Sequence, residues 1–374
     1  MSLEPLKKVR ESSSRGRPMV CKSDENIDNW YGIKLLASDV DFKADKHPCY
    51  LEYILLREFN LNVLDTHISP HIAHYYGVSQ VNNSAAAFDF LHLRKRQELR
   101  KNTIMLITKY MKDGDLFMWS NKNKEASVTV WKCIIFQVLS TLWILQDKYK
   151  FVHSDLAYTN VLVDTTDYTE DYYLYRINNK NFYIKNNNIL PLLWDFESSC
   201  VYKKTKHCYF NELLPTLNHE NDIPQQFDPF YDMHYFLQSL LELQIPTEIR
   251  HWIYDTYPPE VIPMYSQDSS YYTDEYPSDY QSDYTSNEGS RSRSSKGKRN
   301  VSYSSNSSSG SSDSSDSSTN EYDTEFLYDG RLKNTTKEKF KLPTPNIIFH
   351  DDFFSEFMTV PSDLRSVKEF VYTR

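Results

Sequence analysis

A few residues of this 374-residue chain have types and spacings suited to chemistry. The stretch His153-Ser-Asp155-Leu-Ala-Tyr-Thr-Asn160 sets a carboxylate five residues before an amide. The carboxylate of Asp155 can take a proton from an incoming hydroxyl, and the amide oxygen of Asn160 can hold a hard cation such as Mg²⁺, which prefers oxygen ligands. Asp195 closes the apolar run Leu190-Pro-Leu-Leu-Trp and offers a second oxygen ligand. Lys34 sits inside the apolar run Tyr31-Gly-Ile-Lys-Leu-Leu and needs an anionic partner there. Glu52 and Glu58 compete for that role, with Glu52 preferred: it opens a helix marked by Leu51, Ile54, Leu55 and Phe59. The plain alternatives are an edge-strand lysine, a strand-end Asp195, and a helix-to-strand loop with a capping Asp155 and a turn Asn160.

The elements that must position these residues follow from periodicity. From Ser127 onward, Trp131, Ile134, Ile135, Val138, Leu139 and Leu142 form one apolar helical face that delivers the chain to His153. Val161-Leu-Val163 reads as a strand on the other side. Thr103–Thr108 is a buried strand running into Lys109-Tyr110-Met111-Lys-Asp-Gly114-Asp115-Leu-Phe117, where Asp115 suits a helix N-cap. A further strand is expected over His71–Val78. The runs 172–176 and 181–185, joined by an Asn-rich turn, predict a hairpin. Phe227–Leu241 opens another helix, whose Asp232 can cap it or tie the 153–160 loop from below. Near the N-terminus, Glu11–Val20 forms either a phosphate-covering hairpin, with Ser13 and Gly16 facing the phosphates, or a polar tail.

Net charge is −9 and the isoelectric point is near 5.7, which argues against nucleic acid as the main partner. The polar N-terminus shows no signal peptide. Trp131–Leu145 carries Lys132, Gln137, Ser140 and Thr141, so it reads as a buried helix and no membrane span is expected. The five cysteines lack metal-type spacing and are expected as free thiols. The segment 79–100 is polar, then basic, and reads as a surface insertion. Residues 267–324 are rich in Ser, Tyr and Asp, cannot bury a core and are expected to be disordered. Apolar residues return in 325–374, giving four expected parts: 10–111, 112–266, 267–324 and 325–374.

The ordered set Lys34, Glu52, Tyr110–Phe117, His153–Asn160, Asp195-Phe196 and Asp232 resembles the protein kinases over roughly residues 10–260. More narrowly it is similar to the poxvirus-type serine/threonine kinases and their relatives in other large DNA viruses. The extra hairpin before Asp195, the acidic Glu197 after Asp195-Phe196, and the helix opening Phe230-Tyr-Asp232-Met-His carry that likeness. The resemblance implies an α+β, two-lobed fold, with a small β-rich N-lobe (10–111) and a larger helical C-lobe (112–266). It implies ATP and Mg²⁺ as cofactors, protein Ser/Thr side chains as acceptors, and a place in the host cytoplasm or virion. Asp155 would be the base, Lys34 would hold phosphates with Glu52 orienting it, Asn160 and Asp195 would hold the metal, and Ser13, Gly16, Lys109, Met111 and Asp115 would line the nucleotide. Several departures stand against this. Ser154 replaces the usual Arg, Ala157 and Thr159 leave the loop without a cation, the glycine-rich loop is poor, and no Ala-Pro-Glu follows. A nucleotide-binding pseudokinase is therefore the second reading, and a small-molecule kinase of the aminoglycoside or choline type the third.

Overall fold

The computed structural model describes residues 3–8, 16–23, 30–38, 48–81, 102–165, 169–202, 227–262 and 342–373. Ser13, most of the 79–100 segment, and 267–341 lie outside these residues, and so does the 203–226 stretch. Strands β1 (Leu3–Lys8), β2 (Gly16–Ser23), β3 (Trp30–Ser38), β4 (Tyr75–Val81) and β5 (Asn102–Lys109) form an antiparallel sheet in the order β1-β2-β3-β5-β4. β3 is central, so Lys34, opposite Leu106 of β5, is an interior-strand lysine. Helix α1 (Pro48–Phe59) buries Leu51, Leu55, Leu56 and Phe59. A π-helical turn, Asn60–Leu64, follows it. The Asn60 side chain donates to the carbonyls of Leu56 and Ala73 and accepts from the Tyr75 N–H, which locks the end of α1 to the start of β4.

The strand expected over His71–Val78 begins only at Tyr75. Residues 71–74 have other partners. Ile72 bridges Leu193 in parallel, the Ala73 N–H donates to the Leu193 carbonyl, and the Leu193 N–H donates to the His71 carbonyl. Apolar residues alone could not distinguish these pairings, because both bury the same side chains.

Helix α2 (Leu116–Lys122) precedes α3 (Val128–Tyr149), the spine of the core. Ser127 caps α3, and all six apolar positions of its expected face are buried. Among the described residues α3 alone is long and apolar enough to cross a membrane, and it is instead wrapped by protein. β6 (Phe151–Val152) pairs with β11 (Cys200–Val201), and β7 (Val161–Asp164) with β10 (Leu190–Leu193). β8 (Tyr172–Ile177) and β9 (Lys180–Lys185) form the expected hairpin. Its turn residues Asn178 and Asn179 have φ of 48° and 63°, the left-handed pair that a two-residue turn of matching twist requires and that Asn tolerates. Helices α4 (Tyr231–Leu240) and α5 (Thr247–Thr256) complete the helical part.

β12 (Val367–Tyr372) adds to β8 in parallel, a pairing the sequence did not announce. The segment before it docks through aromatics. Phe349 meets Trp143 edge-on, and Phe354 and Phe357 pack on Phe136. Phe353 stacks on Trp252 at 4.6 Å. The fold is thus mixed α+β, with β8, β9 and the C-terminal strand built against the back of α3.

Candidate active site

Burial would expel the charge of Lys34 unless carboxylates surrounded it, and they do. Its side chain is 4% exposed, and Nζ lies 3.0 Å from both carboxylate oxygens of Glu52, 2.6 Å from Asp195 Oδ1 and 3.4 Å from Glu197 Oε2. Helical spacing in α1 brings Glu52 to the sheet. Antiparallel pairing of β10 with β7 brings Asp195 there. Desolvation pulls the Lys34 ammonium down, but Asp195, Glu52 and Glu197 outweigh it and hold its pKa well above the usual range. Burial pushes Glu52 the other way for an acid, up to about 8, against the pull of Lys34. Phe196 is fully buried between Phe59 of α1, Phe151 of β6 and His153, and this fixes the turn that carries Asp195 and Glu197. Glu58, the competing partner, does not reach Lys34; its carbonyl accepts from Asn62.

The 153–160 loop is held through its backbone. Asp232, fully buried at the start of α4, accepts from the N–H of His153 at 2.6 Å and of Ser154 at 2.9 Å. The Ser199 hydroxyl donates to the His153 carbonyl, and the Tyr158 N–H donates to Ser239 Oγ. The buried His153 ring donates from Nε2 to the Trp194 carbonyl at 2.9 Å, and the Trp194 N–H donates to the Asn160 carbonyl. The two chemical segments are therefore stitched together. Desolvation lowers the pKa of His153 to about 4. Ser154 and Asp195 have φ of 67° and 63°, left-handed conformations in non-glycine residues on both sides of the site. Asn160 Nδ2 donates to the Asp155 carbonyl at 2.6 Å and to its carboxylate Oδ2 at 3.0 Å.

That orientation of Asn160 turns its amide oxygen away from Asp155. With the Asp195 carboxylate just past the end of the paired strand β10, the expected donors would be one amide oxygen and one carboxylate. This fits a Mg²⁺ that keeps several waters and shares the rest of its shell with phosphates.

The Lys109 ammonium pairs with Asp164 at 2.5 Å, and its backbone N–H donates to His74. Met111 is buried, and its carbonyl accepts from the Gly114 N–H. Gly114 has φ of +75°, and a Cβ there would meet Met118 Sδ at 2.5 Å, so the turn into α2 requires glycine. Asp115 caps α2, accepting from the Met118 N–H at 2.8 Å. Gly16 begins β2. The sequence marks Glu197 as the acidic residue after Asp195-Phe196 and does not place it on Lys34. No local sequence signal aims it there, because the tight turn it rides on is set by the packing of Phe196.

Comparison with known proteins follows the same lines. The family described as protein tyrosine and serine/threonine kinase matches residues 91–204, a span that contains Asp155, Asn160 and Asp195 and leaves out Lys34 and Glu52. A protein of Acanthamoeba polyphaga mimivirus whose name places it among serine/threonine-protein kinases is 27% identical over 179 residues, 44% of this chain and 38% of its own length. A second mimivirus protein named in the same way is 37% identical over 103 residues, 24% of this chain and 25% of its own. A Dictyostelium discoideum protein, also named as a serine/threonine-protein kinase, is 26% identical over 145 residues, 37% of this chain and 11% of its own. The chain thus matches well under half the length of each of these relatives. Residues 91–204 thus match a protein-kinase family, and serine/threonine-protein kinases of a large DNA virus are among the proteins this chain resembles.

Proposed function

We propose that this chain is an ATP- and Mg²⁺-dependent serine/threonine protein kinase that transfers the γ-phosphoryl group to viral or host proteins. The observation that carries this reading is the convergence on Lys34 of Glu52 and Asp195, with Asp195 tied through Trp194 to the loop of Asp155 and Asn160. Nucleotide would lie between an N-lobe of residues 10–111 and a C-lobe of 112–266. Lys34 would neutralise its phosphates, with Glu52 keeping the ammonium aimed. Asn160 and Asp195 would hold Mg²⁺, which supplies charge neutralisation to the phosphates. Asp155, held by Asn160, would accept the proton of the attacking hydroxyl. The preceding Ser154 offers no guanidinium for a phosphate on the chain, so activity should not require one.

A second reading is favoured by one observation: Ala157 stands on the loop where a lysine or arginine would steady the transferred phosphate. It makes the chain a nucleotide-binding pseudokinase. Purified protein separates the two. Mg-ATP should raise the melting temperature in a saturable way under both readings. Radiolabel from ATP should reach Ser or Thr of casein-like acceptors only under the first. No melting shift at millimolar Mg-ATP would sink both.

A further inference from the structure

Lys34 has more anionic partners than a phosphate-holding lysine can use. An ammonium offers three N–H donors, and three carboxylates surround this one. A nucleotide phosphate must therefore displace one of them. Glu52 is the least free to leave, since its side chain is 1% exposed and lies on a packed helix. Asp195 makes the shortest contact, at 2.6 Å. Glu197 makes the longest, at 3.4 Å, and its side chain is 14% exposed, so it alone combines a weak hold with a path to solvent. It rides on the short turn Phe196–Ser198, pinned on one side by buried Phe196 and on the other by the Ser199 hydrogen bond to His153, so the backbone keeps its place when the side chain swings.

We propose that Glu197 is a positioning residue that occupies the Lys34 donor a nucleotide phosphate would take, and so makes nucleotide binding depend steeply on a divalent cation. This rests on the kinase reading of the site. Without a cation, an incoming polyanion faces one ammonium crowded by three carboxyl groups within a few ångströms, and gains Lys34 only by leaving Glu197 uncompensated beside it. With a cation held by Asn160 and Asp195, part of the negative surplus is cancelled, Asp195 has another partner, and Glu197 can turn outward. A residue without a carboxylate at 197 would leave one Lys34 donor available at all times.

The test measures binding of ATP to the full chain in EDTA and in saturating Mg²⁺, for the parent, Glu197→Gln and Glu197→Gly. Ligand-free melting curves verify that each variant is folded, and the two variants differ enough in shape that one folded form suffices. The parent should bind ATP at least about 30-fold more weakly in EDTA, and either variant should shrink that ratio by about tenfold, chiefly through tighter metal-free binding. A purely structural role for Glu197 would alter melting and leave the ratio unchanged. An unchanged ratio, with Mg-ATP still bound, overturns this inference and leaves the proposed function standing. Failure of the parent to bind Mg-ATP at all overturns the proposed function and this inference with it.

Discussion

Around Lys34 the contacts are between ionisable side chains, whereas around Asp155 they run through the backbone. The Lys34 cluster consists of four ionisable side chains from β3, α1 and the turn after β10, and each can exchange one charged partner for another. The Asp155 loop is fixed by main-chain N–H and carbonyl groups that Asp232, Ser199, Ser239 and the Trp194 N–H satisfy. The first arrangement is exchangeable and suits a group that must let a ligand in. The second is stiff and suits one that must wait at a fixed place for a proton. Substitutions should therefore fail differently on the two sides.

The largest effect is expected from amidating the two aspartates. Asp155→Asn keeps the shape and removes the basic oxygen, so turnover should fall by roughly 10²-fold or more while Mg-ATP binding persists. Asp195→Asn should lose turnover and also bind Mg-ATP more weakly, with partial recovery at high Mg²⁺. Equal nucleotide affinities for the two variants would erase the distinction, and a fully active Asp155→Asn would remove the loop from the chemistry.

Next in size is the stiffness itself. Asp232→Ala leaves two buried N–H groups, of His153 and Ser154, without their acceptor, and each orphan costs about 1–3 kcal/mol. Thermal or urea unfolding should show a loss of about 2–5 kcal/mol. A loss below about 1 kcal/mol, within the range of an ordinary surface change, would mean the loop is not held from below.

The smallest effect is a difference in sign with pH. His153 and His71 are buried neutral, with pKa values lowered to about 4 and about 3. The unfolded chain binds protons that they refuse, so their contribution is present above pH 6.5 and is lost as pH falls, by about 1 kcal/mol each between pH 7 and 5.5. Glu52 is raised to about 8, so its contribution is greatest below its ordinary carboxylate range and is lost as pH rises toward 8. The two sides should offset each other in the parent between pH 5.5 and 7. Glu52→Gln should expose the histidine component as a melting temperature that falls on acidification. A flat profile in that variant would show that the histidines take up protons without cost.

Most of this contrast was legible in the sequence on the Lys34 side, because lysine in an apolar strand and glutamate at helical spacing leave few other partners. The loop was legible through its spacing, and Asp232 through its place at a helix start. What escaped notice depended on contacts with no local signature. The 71–74 segment chose Leu193 over the sheet, a decision made by tertiary packing among equally apolar options. Asn60, an ordinary polar residue in sequence, spends three hydrogen bonds joining α1 to β4. Glu197 reaches Lys34 only because a tight turn, visible in the coordinates alone, aims it there.

The parallel pairing of β12 with β8 also sets an order of events during synthesis. Asp171 and Ser366, hydrogen-bonded at the head of that pairing, are separated by 195 positions. At roughly 5–20 residues per second a ribosome needs about 10–40 s to cover that distance. For most of that interval the β8–β9 hairpin is complete while the outer edge of β8 lacks its β12 partner. An open edge rich in Tyr and Leu invites pairing with another nascent chain. The nascent protein therefore passes through a period of aggregation risk that ends only when Val367–Tyr372 arrives, and chaperone demand should concentrate there.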